Sequence, residues 1–165
     1  MERLRMLREL IGAMLIALVF AIAFRIWRSV RGRRALQEST LPALRDSRGG
    51  LELGQALYVS TVFASRPLDR LWAFGLGARG KAKVFASEDG VSIERVGEKN
   101  FLIPAEDIAG FTRETATIDK GVELDGLIAI HWTHGSERLV THLRVVADPS
   151  GFLKQLAHVT GADIG

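Results

Sequence analysis

The chain has 165 residues, 47% apolar and 25% charged, with seventeen glycines and no cysteine. That length holds one domain of ordinary size plus an appendage, too little for a large catalytic barrel, and the apolar share excludes wholesale disorder. Without cysteine there are no disulfides, thiolate metal sites, cysteine nucleophiles or cysteine-linked lipids. The net charge of +3 divides unevenly: residues 1–56 hold ten Arg against five acidic residues, and residues 57–165 hold twelve Lys or Arg against fourteen. The basic excess therefore flanks one apolar run, whereas a nucleic-acid footprint belongs on a folded surface, so no nucleic-acid partner is expected.

After a short flank, residues 1–9, the apolar run LIGAMLIALVFAIAF extends from Leu10 to Phe24. Fifteen helical residues span about 22 Å, short of a hydrocarbon core of about 30 Å. Extension to Trp27 gives about 27 Å, with Arg25 snorkelling to the headgroups and Trp27 at the interface, so residues 10–27 are read as a single transmembrane helix. Ala21-Ile22-Ala23 resembles a signal-peptide cleavage site, but the dense positive charge that follows resists translocation. A soluble helix would have a polar face, and this run has none. Ala13, Ala17 and Ala21 recur at every fourth position and offer a stripe for self-association into a homo-oligomer.

Arg25, Arg28, Arg31, Arg33 and Arg34 follow the run, while Arg3, Arg5 and Arg8 before it are offset by Glu2 and Glu9. The positive-inside rule then puts the C-terminal domain in the cytoplasm, with the five arginines also in contact with anionic lipid of the cell membrane. Residues 28–56 read as a basic juxtamembrane segment and linker, since Ser39 to Gly54 loses periodicity and gathers Ser, Pro, Gly and mixed charge.

From residue 57 on, short runs of β-formers recur between turn signals: Tyr58–Ser65, Lys81–Ser87, Val91–Arg95, Phe101–Pro104, Ile108–Thr117, Gly126–Thr133 and Arg138–Val145. Glu88-Asp89-Gly90, Gly97-Glu98-Lys99, Asp119-Lys120-Gly121 and His134-Gly135-Ser136 supply turns. Alternation points Ala82, Val84, Ala86, Val91, Ile93, Ile128, Ile130, Trp132, Leu139, Thr141, Leu143 and Val145 inward. Asp148 as N-cap, Pro149 in the first turn and an apolar face of Phe152, Leu153, Leu156 and Val159 then predict a C-terminal helix. Seven antiparallel strands closed by one helix is the element order of a pleckstrin-homology (PH) barrel.

The sequence from Tyr58 to Arg95, with RPLDR at 66–70 and GLGARG at 75–80, is followed by FLIPAEDIAGF at 101–111 and a hydrophobic strand centred on Trp132. It resembles an actinobacterial family of membrane-anchored bacterial PH-like proteins. The resemblance covers the anchor and residues 58–160 and implies a binding domain, since none of these segments is a catalytic signature.

The remaining motifs favour plain structural roles. Gly75 to Gly80 has the G-x-G-x-x-G spacing, but the dinucleotide version needs a strand before and a helix after, and here Pro67–Phe74 reads as a short helix and Lys81 opens a strand. The glycines are thus read as a flexible connection. Arg79, Lys81 and Lys83 sit beside that loop, and their placement resembles that of the basic residues that hold lipid headgroups in PH domains; the bland alternative is a solvated strand face. His131 and His134 point to opposite faces of a strand, and His142 and His158 have no cluster to join in sequence, so no metal site is assigned. Glu106-Asp107 and the pair Glu123 and Asp125 read as exposed acidic turns, and no serine-nucleophile motif or P-loop occurs.

The expectation is a membrane-tethered, non-enzymatic PH-like module that needs no cofactor and binds a protein partner. A sensor of anionic lipid or a small ligand, or an export-related extracytoplasmic domain, are the alternatives.

Overall fold

The computed structural model describes residues 2–114 and 126–165. The expected turn at Asp119-Lys120-Gly121, the acidic pair Glu123 and Asp125, and the end of the strand expected at Ile108–Thr117 lie outside the described residues. Helix α1 runs from Glu2 to Thr40, and β1 (Leu51–Phe63), β2 (Arg66–Arg70), β3 (Gly80–Ser87), β4 (Gly90–Arg95) and β5 (Phe101–Pro104) follow. Then come β6 (Ile108–Glu114), β7 (Leu127–His134), β8 (Glu137–Arg144) and helix α2 (Pro149–Thr160). The segment read as linker thus holds the end of α1 and the start of β1.

All strand pairs are antiparallel, in the order β5-β4-β3-β1-β8-β7-β6, with β2 added to β1. β1 holds the two halves together. Its first part pairs with β3 from Leu51 to Tyr58, its second part pairs with β8 from Leu57 to Phe63, and β2 joins it at Val62 and Phe63. The expected closed barrel of seven strands is therefore corrected to an eight-stranded sheet whose end strands, β5 and β6, are not paired with each other. Their outer main-chain groups bond elsewhere. Leu102 N–H donates to the carbonyl of Arg45, and Phe111 exchanges two bonds with Asp163 and Gly165.

The eighth strand comes from the segment read as a helix. A helix would bury Leu68 beside Leu71, but Leu68 is 78% exposed and Leu71 is fully buried. β1 extends past the end of β3, and that open edge takes Arg66–Arg70 into pairing, so tertiary hydrogen bonding overrides the local apolar spacing.

The inward positions fall as alternation requires: Ala82, Val84, Ala86, Val91, Ile93, Ile128, Ile130, Trp132, Leu139, Thr141, Leu143 and Val145 are all buried. α2 covers the core with Phe152, Leu153 and Leu156, and the Asp148 carboxylate caps it by accepting from Gly151 N–H at 2.9 Å.

Through this core runs a chain of hydrogen bonds with one allowed direction. Trp132 Nε1 can only donate and does so to Thr141 Oγ1 at 3.0 Å, while at the far end the carbonyl of Leu76 can only accept, from Tyr58 OH at 2.8 Å. Thr141 must then donate to Thr61, and Thr61 to Tyr58, each at 2.7 Å. Burial pushes the Tyr58 phenol well above its ordinary range. Thr141→Val leaves the Trp132 donor without an acceptor, and it should lower the unfolding free energy by about 1–3 kcal/mol while Thr141→Ser costs less. Urea unfolding of the full chain in detergent micelles, followed by circular dichroism, measures both.

Candidate functional site

The turn between β2 and β3 is where α1 meets the folded domain. α1 is exposed along its apolar stretch, and its last turns dock on Trp72–Gly75. Gln37 Oε1 accepts from the N–H groups of Trp72 (2.7 Å) and Ala73 (3.1 Å). Glu38 Oε1 accepts from Phe74 N–H at 2.9 Å and is held in place by Arg34 Nε at 2.9 Å. Two polar side chains of the helix thus cap consecutive amides of the turn.

The opposite side of the turn is held by Arg95, which is 5% exposed. Its guanidinium donates to the carbonyls of Gly75 (2.8 Å), Phe74 (3.2 Å) and Lys99 (2.6 Å) and lies over the rings of Tyr58 and Phe101. Burial pulls its pKa down, an effect opposed by Tyr58 and Glu98, and arginine keeps its proton throughout. Leu76 is fixed by Tyr58 OH and by Thr61 N–H.

This corrects the reading of Gly75–Gly80 as a flexible connection after a helix. The segment follows a strand and a short 3-10 turn, Ala73–Gly75, and Gly75 and Gly77 serve close packing. A Cβ on Gly77 would lie 2.8 Å from the Trp72 ring, and Gly75 has φ +72° with the Glu98 carboxylate against it. Phe74 occupies the left-handed region at φ +54°, a strain of about 1–3 kcal/mol that the surrounding bonds hold in place.

Lys81 and Lys83 on β3 are exposed, as is Arg79 before it. They border a hollow of about 380 Å³ with Gln55, Glu94 and Asn100. Lys83 pairs with Glu52 at 3.6 Å and stands opposite Glu94 on β4, so the face carries both signs of charge. Arg25, Arg28, Arg31, Arg33 and Arg34 are exposed and, at 3.6 residues per turn, point all round α1. Arg31 lies over the Trp27 ring. Ala13, Ala17 and Ala21 lie on the exposed part of the helix.

His134 and His131 diverge, His134 bonding the Pro42 carbonyl at 2.8 Å and His131 bonding Thr112 at 2.8 Å. His142, which has no partner visible in the sequence, shares Glu114 with His131: its Nε2 lies 3.1 Å from one carboxylate oxygen, and that of His131 lies 3.5 Å from the other. Among the described residues no three such side chains are placed to hold a metal ion. Glu106 pairs with Arg45 at 2.9 Å on an exposed 3-10 turn.

Gln37 and Glu38 had no sequence signal of their own, since a polar pair at the end of a helix reads as solvated. Gln37→Leu removes the acceptor for two amides and should loosen the joint. Spin labels at introduced cysteines replacing Ala35 and Lys154 should give one narrow distance distribution that this substitution broadens; an unchanged width would mean that the joint is held by other contacts.

The sequence profile of a family described as Bacterial PH domain-like matches residues 38–157. No curated protein and no solved structure matches the chain.

Proposed function

Because the chain belongs to the bacterial PH domain-like family, we propose that it is a non-enzymatic, single-pass membrane module whose cytoplasmic domain holds a protein partner at the cell membrane. The observation that carries this reading is the state of α1. Leu10, Met14, Leu15, Leu18, Phe20 and Phe24 are all exposed, a patch far larger than water-soluble surfaces tolerate and one that a bilayer covers. Tethering raises the effective concentration of whatever the domain binds.

The cytoplasmic side follows from the arginines. Moving the cluster Arg25–Arg34 outward would work against the membrane potential at about 2.3 kcal/mol per charge per 100 mV. Fluorescent-protein fusions after Gly165 should be folded and bright, and alkaline-phosphatase fusions at the same point inactive. Active phosphatase would place the domain outside, as in the export-related alternative, and overturn the cytoplasmic tether.

The lipid-sensor alternative rests on Arg79, Lys81 and Lys83. Glu52 and Glu94 beside Lys83 weaken the attraction of that face for an anionic headgroup, which favours the protein partner. Lys81→Glu with Lys83→Glu is therefore expected to leave flotation of the full chain's domain on anionic liposomes unchanged relative to neutral ones. Selective loss on anionic liposomes would establish the lipid reading in its place.

A further inference from the structure

β6 ends the sheet, and its outer side is covered by a short stretch of chain. Residues Asp163–Gly165 run parallel to it, Phe111 N–H donating to the Asp163 carbonyl at 3.0 Å and Gly165 N–H donating to the Phe111 carbonyl at 2.9 Å. Ile164, the central residue, stays half exposed. Two main-chain bonds and little apolar burial make a weak attachment.

Two features make this edge ready for a longer chain. β6 has a bulge between Ile108 and Gly110, so Ala109 is an extra, exposed residue outside the ladder with β7. Gly110 stands at φ +155°, and a Cβ there would press to 3.2 Å from the Asp163 carbonyl, so glycine gives a neighbouring strand room to approach closely. Beside the edge lies a mostly apolar pocket of about 430 Å³, lined among others by Ala64, Ala109, His131, Arg138 and Asp163. Asp163 belongs to the covering segment. Once it leaves, the charged side chain that remains in the lining is Arg138, which has no ion-pair partner among the described residues.

We propose that the outer edge of β6 is a strand-addition site where an extended, acidic segment of a partner protein displaces residues 163–165, bonds Phe111 through its main chain and places an apolar side chain in the pocket with a carboxylate on Arg138. The proposal rests on the protein-partner reading and gives it a location.

The test uses the full chain with Thr112→Cys and Gly165→Cys. A Cβ at residue 165 lies 3.2 Å from Thr112 Cγ2, close to the separation a disulfide needs, and the chain has no other cysteine. Oxidation thus staples the covering segment in place, and reduction frees it, in one polypeptide. Phage-displayed random peptides are selected on the reduced chain in detergent micelles. We expect peptides that combine an apolar residue with Asp or Glu, binding that falls at least about tenfold on oxidation, and loss of binding in Arg138→Glu at an unchanged unfolding midpoint. No selected peptide, or peptides that bind both redox forms equally, overturns the proposal. A partner crosslinked in native membranes equally well by both forms also overturns it, yet leaves the interaction module standing with its partner on another face. Redox-sensitive peptides with no partner captured by either form uphold the edge and count against the membrane-partner reading.

Discussion

Main-chain polar groups that leave water must find partners, and the turn Trp72–Gly77 meets that demand by drawing on the rest of the molecule. Its amides are taken by Gln37 and Glu38 from α1, and its carbonyls by Arg95 from β4 and by Tyr58 and Thr61 from β1. An orphaned buried group costs about 1–3 kcal/mol, so each contributor is held in place by the others. The left-handed Phe74 and the close glycines are tolerable only inside this set of bonds. The helix, the long central strand and the meander are therefore one mechanical unit with the turn at its centre.

The core hydrogen-bond chain extends that unit. It begins at Trp132 on β7, crosses to β8 and β1, and ends on the carbonyl of Leu76 in the same turn. Polar chains inside a low-dielectric core specify one arrangement because any break leaves a donor or acceptor bare. The two halves of the sheet are thus keyed to the α1 contact by groups that hydrophobic packing alone would not align.

Sequence periodicity was a good guide wherever a strand has one buried face. Val84, Ile93, Ile130 and Leu143 sit where alternation puts them, because a one-residue slip would expose them all. The helix read at Pro67–Phe74 gives way to a strand because an open edge of β1, a partner remote in sequence, decides the conformation there. The start of β1 at Leu51 was hidden for a related reason: its first residues are exposed, and pairing with β3, not burial, makes them a strand. The meeting of Glu114, His131 and His142 depends on the order β6-β7-β8, which no local pattern encodes. Buried Arg95 is only the last residue of a strand in sequence, and nothing near it announces the carbonyls it binds.

α1 is continuous from the apolar run to Gln37, with no break between Trp27 and the docking residues. Each residue of an α-helix advances the chain by 1.5 Å and turns it by about 100°. The bearing of the domain about the axis of the apolar run is consequently set by the number of residues between Trp27 and Gln37. One residue more or fewer in that stretch would swing the whole domain by more than a quarter turn, whereas a seven-residue insertion would nearly restore its bearing at about 10 Å greater distance from the apolar run. Length in the arginine-rich segment is then a structural variable separate from its charge.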